Sequence, residues 1–236
     1  GSNDWNNNGN TWDGMMFGIN NDFADLHVGY ASANREGTMD STDFDNTQMM
    51  FNVSKEMGDM SFNFLYVTSD ASGAERTTMG LDGTYAMANG VDLSFGYYAD
   101  EKADGTEMGL TSVGAAYDVN DDMSVAVGYD MYDENGFWMA SGNVGDDKSF
   151  LGTGMNAIKE ECDVMSFGGT YNMGDFMIGA TMYNVTNEAE TVDYSATDFS
   201  VDYKFSDNSS LGVVMSSNDR NDSDDTRMWL NVKVGF

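Results

Sequence analysis

The chain has 236 residues, and 10 Lys and Arg against 40 Asp and Glu give it a formal net charge of −30 at pH 7. Nucleic acid is excluded as the expected partner, because phosphate contacts need basic side chains. Cys162 is single and His27 is the one histidine, so an internal disulfide is excluded and we expect no enzyme.

Segments in which apolar and polar residues alternate recur along the chain, with the period of two that is typical of β-strands. The connections between them alternate between tight turns rich in Asn, Asp and Gly and longer polar segments. In chain order, the predicted tight turns are 20–22, 57–59, 89–90, 120–122, 173–175 and 206–208, and the predicted long connections are 31–46, 69–76, 99–108, 132–162, 184–195 and 217–226. Such alternation is typical of the two rims of a transmembrane barrel, and we predict an all-β fold, a transmembrane antiparallel β-barrel of about 12–16 strands.

The two faces of the predicted strands differ in polarity. In the strand that begins at Val91, the positions Val91, Leu93 and Phe95 are apolar, whereas Asp92 and Ser94 are polar. A barrel with lipid outside and water inside needs this division, whereas a soluble barrel would bury its apolar face. The last segment, 228–236, alternates in the same way and brings Phe236 onto the apolar face.

Tyrosines occur near both ends of the predicted strands. Tyr30, Tyr66, Tyr97 and Tyr129 end strands before long connections, and Tyr85, Tyr117, Tyr171 and Tyr203 precede tight turns. We predict two aromatic girdles, one at each membrane interface, where amphipathic rings are favoured. The preference of Tyr for strands would explain the presence of these residues but not their position.

These features resemble the general diffusion porins of Gram-negative bacteria, most closely the acidic alphaproteobacterial type. Segment 111–129 resembles one strand–turn–strand unit, and 232–236 resembles the C-terminal strand that the barrel-assembly machinery reads, with Phe236 as the assembly signal. The resemblance covers residues 1–236 as one barrel domain and implies a bacterial outer-membrane location and a homotrimer. We count about 13 strands, whereas single-chain bacterial barrels have an even number. We therefore expect either the C-terminal two-thirds or more of a porin, with the first strands missing or on another chain, or a barrel of about 12 or 14 strands.

The same alternation directs ten charged side chains toward the lumen. They are Arg76, Lys204, Arg227, Lys233, Asp25, Asp82, Asp92, Asp130, Asp198 and Asp202. The excess of Asp predicts a cation-preferring pore for passive diffusion of small hydrophilic solutes. The longest connection, 132–162, contains Phe137, Trp138, Phe150 and Leu151, so we expect it to fold against the lumen wall or a neighbouring subunit.

The acidic connections leave two hypotheses open. Asp222, Asp224 and Asp225 could bind Ca²⁺, because hard cations favour clustered carboxylates. Alternatively, these loops are solvated and bridge to lipopolysaccharide through diffuse divalent ions, and we predict no other cofactor.

Two other functions fit part of the pattern. An outer-membrane barrel with a structural or adhesive role would use the same strands but have a plugged lumen. A secreted acidic surface-layer β-protein would explain the excess of Asp, but not the apolar stripe or Phe236.

Overall fold

The computed structural model describes residues 10–36, 46–71, 74–137, 160–206, 208–219 and 225–234. These residues form one antiparallel sheet of 13 strands, in which each strand pairs with its neighbours in the chain. The strands are β1 Asn10–Ile19, β2 Asp25–Glu36, β3 Asn46–Met57, β4 Met60–Ala71, β5 Ala74–Ala86, β6 Val91–Lys102, β7 Glu107–Asn120, β8 Met123–Tyr132, β9 Cys162–Met173, β10 Phe176–Thr186, β11 Asp193–Ser206, β12 Ser209–Asn218 and β13 Asp225–Val234. The predicted all-β antiparallel fold is confirmed. No helix in the described ranges is long and apolar enough to cross a membrane.

The tight turns form where the sequence predicts them. The turns at 58–59 and 174–175 have two residues each, and Gly58 and Gly174 occupy their first positions with φ of 61°. Glycine adopts this left-handed conformation without steric cost, which suits the twist of a two-residue hairpin.

The predicted long connections 69–76 and 99–108 are wrong, because the strands beside them are longer than expected. For the same reason 31–46 and 184–195 are shorter than predicted. Only 72–73 separate β4 from β5, and only 103–106 separate β6 from β7. The polar residues there continue the ladders, with Ser69 opposite Arg76 and Thr78 opposite Asp100. The polar composition of 69–76 and 99–108 predicts loops, but the ends of paired strands need no apolar side chains. In the 103–106 connection, hydrogen bonds from Thr106 to the Asp104 carboxylate lower the pKa of Asp104.

The strands β1 and β13 are the two edges of the sheet. Among the described residues, no ladder of hydrogen bonds joins them. Because 13 is odd and every neighbouring pair is antiparallel, β1 and β13 run in the same direction. The described residues form 13 strands, which matches the count of about 13 and not the alternative of 12 or 14.

The two faces of the sheet differ in exposure as the alternation predicts. We call the face with Phe64, Phe95 and Val127 the outward face, and these side chains are exposed. The opposite face, which we call the inward face, carries Leu65 and Tyr98, and both side chains are buried. Residues directly opposite each other on paired strands share a face, so the register extends this division across the whole sheet.

Candidate pore and its lining

The ten predicted lumen positions all fall on the inward face in the register of the sheet. Directly opposite residues link Asp25 on β2 to Asp82 on β5 and onward to Asp130 on β8. The register of the remaining strands places the others on that face, namely Arg76, Asp92, Asp198, Asp202, Lys204, Arg227 and Lys233. The structure thus brings these positions to one face, and their contact with permeating solutes remains a prediction.

Asp82 is the acceptor of a hydrogen-bond network that spans β3 to β6. The Tyr98 hydroxyl donates to Asp82 Oδ2 at 2.7 Å, and Asn63 Nδ2 donates to the same oxygen at 3.1 Å. Asn52 Nδ2 donates in turn to Asn63 Oδ1 at 2.6 Å. Hydrogen bonds to a carboxylate are stronger than those between neutral groups, so this network holds Asp82 in one position on the wall.

The position of Tyr98 depends on a glycine in the neighbouring strand. Gly80 lies directly opposite Tyr98, and a Cβ atom at Gly80 would be 2.6 Å from Cδ1 of the ring. Because Gly80 has no side chain, the ring can lie across β5 and bring its hydroxyl to Asp82. Neither Tyr98 nor Asn63 is among the predicted lumen-lining residues, although both follow the alternation of inward positions.

Arg76 forms an ion pair that the sequence analysis did not predict. Its Nε donates to Asp100 Oδ1 at 2.5 Å, and the Thr78 hydroxyl donates to Asp100 Oδ2. Asp100 is only 2% exposed, so both oxygens of this buried carboxylate have donors. Asp100 was missed because 99–108 was interpreted as a loop, although it shares the alternation of Asp92 and Tyr98. The charge of Arg76 is balanced locally, which weakens its predicted role as a selectivity residue.

The connection after β8 folds back onto the inward face. The Asp133 N–H donates to the Gly109 carbonyl at 3.0 Å, and the Gly109 N–H donates to the Gly136 carbonyl at 3.1 Å. This turn crosses the end of β7 and brings Phe137 against Tyr98, with 5.7 Å between ring centroids. Phe137 is 0% exposed. Trp138, Phe150 and Leu151, which the sequence analysis also assigned to this fold, lie outside the described residues.

Phe137 belongs to an apolar cluster on the half of the inward face nearest the longest connection. The cluster contains Leu65, Val67, Tyr98, Met108, Leu110, Tyr132, Phe137, Cys162, Val164, Val185, Val192, Tyr194 and Ala196. The prediction of a polar inward face is therefore wrong for this half of the sheet, where apolar side chains cover the wall. A signal was present in the run Phe64-Leu65-Tyr66-Val67, since apolar residues on both faces indicate a strand covered on both sides.

The eight predicted girdle tyrosines all lie on the outward face. The register gives this face to Tyr30, Tyr66, Tyr85, Tyr97, Tyr117, Tyr129, Tyr171 and Tyr203. Near the rim, the Tyr129 hydroxyl donates to Asp163 Oδ2 at 2.7 Å. The prediction that Tyr30, Tyr66 and Tyr97 end their strands is wrong, because β2, β4 and β6 continue for several residues beyond them. The placement of the eight tyrosines at membrane interfaces stays a prediction.

Several predicted residues have limited descriptions. Phe236, Asp222 and Asp224 lie outside the described residues, and for Asp225 and Arg227 only the backbone is described. Within the described part of the chain, no group of three or more His, Cys, Asp or Glu is arranged to hold a metal ion. His27 lies on the inward face, opposite Gly18 and Asn52.

A sheet of this size, with an apolar outward face and charged residues on its inward face, is typical of the class of outer-membrane β-barrels. Residues 1–137 match the Gram-negative porin family, which is more than half of the sequence. The chain therefore belongs to the Gram-negative porin family, and its location is the bacterial outer membrane.

Solved structures of outer-membrane proteins share the fold at low sequence identity. Pseudomonas aeruginosa OccK11 (OpdR) is 11% identical, with 99% of this chain and 72% of that chain covered at a TM-score of 0.74. Pseudomonas aeruginosa OpdQ is 13% identical, with 96% and 70% covered at a TM-score of 0.70. Acinetobacter baumannii OccAB2 is 12% identical, with 95% and 66% covered at a TM-score of 0.66. At these identities the likeness concerns the fold alone, and no curated protein matches the sequence.

Proposed function

We propose that this porin passes small hydrophilic solutes by passive diffusion and prefers cations. The observation that carries the proposal is the charge of the inward face, where the predicted carboxylates outnumber the predicted cations. Asp100 already balances one of those cations, Arg76. A wall with an excess of fixed negative charge raises the local concentration of cations and lowers that of anions.

The rim beside the longest connection supports the same preference. A depression of about 570 Å³ lies there between the ends of β7, β8, β9 and β10. Its charged lining consists of carboxylates, from Glu107, Asp133, Glu134, Glu161, Asp163 and Glu188. Cations that approach this rim meet a negative potential before they reach the inward face.

The reversal potential in a KCl gradient tests this proposal, with the protein inserted in planar bilayers. The wild type should give a reversal potential that favours K⁺. The combined substitutions Asp82→Asn, Asp130→Asn and Asp198→Asn should move it toward zero. Asp59→Asn is the matched control, because Asp59 is an exposed carboxylate in the turn between β3 and β4. A wild-type pore that is neutral or favours anions contradicts the cation preference.

A second function, a barrel with a structural or adhesive role, is favoured by one observation. The apolar cluster packs Phe137 onto the inward face and covers part of the wall that a wide pore would expose. The same bilayer measurement separates the two functions. Stable conductance steps support diffusion, whereas folded and inserted protein without conductance supports the occluded barrel.

We also propose that the protein forms a homotrimer and that divalent cations bridge it to lipopolysaccharide. The resemblance to acidic alphaproteobacterial porins supports a homotrimer, and the net charge of −30 supports bridging to lipopolysaccharide through divalent cations. Native mass spectrometry of the detergent-extracted protein tests the trimer. Removal of divalent cations with a chelator should weaken the association with lipopolysaccharide vesicles. A monomer by mass contradicts the trimer. An association that the chelator does not change contradicts the bridging by divalent cations.

A further inference from the structure

Methionines on the outward face lie opposite the girdle tyrosines. Tyr85 is directly opposite Met60, and Tyr171 is directly opposite Met123, both beside tight turns. The same pairing recurs farther from the tight turns, in Met15–Tyr30, Met49–Tyr30, Met79–Tyr66 and Met165–Tyr129. A thioether beside an aromatic ring gains a favourable contact, so these pairs join neighbouring strands on the outward face.

One group of methionines borders the tight turns. We name five residues the rim methionines, because each lies beside one of the tight turns that join β3 to β4, β5 to β6, β7 to β8 and β9 to β10. They are Met57, Met60, Met87, Met123 and Met173. Their exposed fractions range from 36% at Met87 to 54% at Met173. Other exposed methionines of the outward face, such as Met79 on β5 and Met182 on β10, lie farther from the tight turns. The tight turns of an outer-membrane barrel face the periplasm, so the rim methionines lie at the water–lipid boundary and not deep in the hydrocarbon.

We propose that the rim methionines are a site of reversible oxidation by peroxide or hypohalous acid, and that the oxidised barrel stays folded. Hydrogen peroxide transfers one oxygen atom to the thioether sulfur, so that its O–O bond breaks and an S–O bond forms. The sulfur loses two electrons, the peroxide is reduced by two electrons, and water leaves. Methionine sulfoxide reductases reverse the change.

The contrast with the apolar cluster explains why the fold survives. Met108 is 2% exposed and packs inside the cluster, where a polar sulfoxide would disrupt close packing. The rim methionines lie outside that cluster, and a sulfoxide there meets water and lipid headgroups. Each tyrosine opposite a rim methionine also keeps its other neighbours, for example Leu93 opposite Tyr85. Oxidation of the rim therefore removes side-chain contacts at the surface and leaves the core intact.

Timed oxidation of the full chain in phospholipid vesicles tests the proposal. Hydrogen peroxide is added, samples are quenched and digested with chymotrypsin, and the sulfoxide at each methionine is measured by mass spectrometry. Peptides with the rim methionines should oxidise at least about tenfold faster than the peptide with Met108, while the near-UV circular dichroism stays unchanged. Treatment with the reductases should then restore the original peptide masses.

A matched variant keeps the test independent of overall exposure. The substitutions Met57→Leu, Met87→Leu and Met173→Leu preserve approximate volume and remove the oxidisable sulfur. This variant should fold like the wild type and consume less peroxide, by about one equivalent per replaced residue. The proposal is overturned if the rim methionines oxidise within about twofold of Met108. It is equally overturned if the circular dichroism signal falls in step with rim oxidation, or if the leucine variant consumes as much peroxide as the wild type.

Discussion

The Tyr98 hydroxyl donates a 2.7 Å hydrogen bond to Asp82 Oδ2, while the ring of the same tyrosine packs against Phe137. One side chain thus joins the polar network of the inward face to its apolar cluster. The lumen carboxylate and the folded-back connection therefore depend on the same residue, and substitutions can separate the two roles.

Tyr98→Phe removes only the hydroxyl and keeps the ring on Phe137. We expect the free energy of unfolding to fall by about 1–2 kcal/mol, because a hydrogen bond to a carboxylate is lost while Asn63 still donates to Asp82. Urea unfolding of the protein in phospholipid vesicles measures this change. Tyr97→Phe is the control, since Tyr97 is the exposed neighbour on the outward face. Equal losses in the two variants would argue against the role of the Asp82 bond.

Phe137→Ala removes the largest fully buried side chain of the cluster. Truncation of a buried Phe costs about 3–5 kcal/mol of stability when the surroundings do not collapse. We also expect a larger single-channel conductance, because the connection loses its contact with Tyr98. Phe95→Ala, on the outward face, is the control for conductance. If Phe137→Ala leaves the conductance unchanged, the 133–137 segment does not narrow the pore.

The Arg76–Asp100 pair offers a double-mutant cycle. Arg76→Met leaves a buried carboxylate without its cation, and removal of one partner from a buried pair costs about 3–5 kcal/mol. The double variant Arg76→Met with Asp100→Asn should recover part of this loss, because no uncompensated charge remains. Thermal unfolding in vesicles measures all members of the cycle. Additive effects would show that the two side chains do not interact energetically.

Gly80→Ala tests the space beneath Tyr98. The new Cβ would come within 2.6 Å of the ring, so the ring must move, and such overpacking costs about 1–3 kcal/mol. Gly29→Ala on the same face is the control, because its Cβ would meet Met50 at 3.5 Å, which is ordinary contact. The ratio of the two losses is read from urea unfolding. A loss at Gly29 as large as at Gly80 would contradict the contact.

The sequence predicted the features that depend on local pattern. The period of two separates Asp92 and Ser94 from Leu93 and Phe95 on β6, and one strand cannot present these two sets on the same face. The tight turns followed from Gly58 and Gly174, since few other residues adopt their backbone conformation without strain. The contacts of Tyr98 could not be predicted, because they join β5, β6 and the segment after β8 across long separations in the chain.

The sequence by itself determined the class of fold and the face on which each predicted lumen position lies, because alternation and turn chemistry act between near neighbours. It left the number of strands open, and the described residues form 13. Only the tertiary structure decided which charges are balanced and which part of the inward face is covered. Arg76 meets Asp100 through the register of β5 and β6. Phe137 reaches Tyr98 because the connection after β8 turns back over β7. Such contacts depend on register and on the path of the chain, which local patterns do not specify.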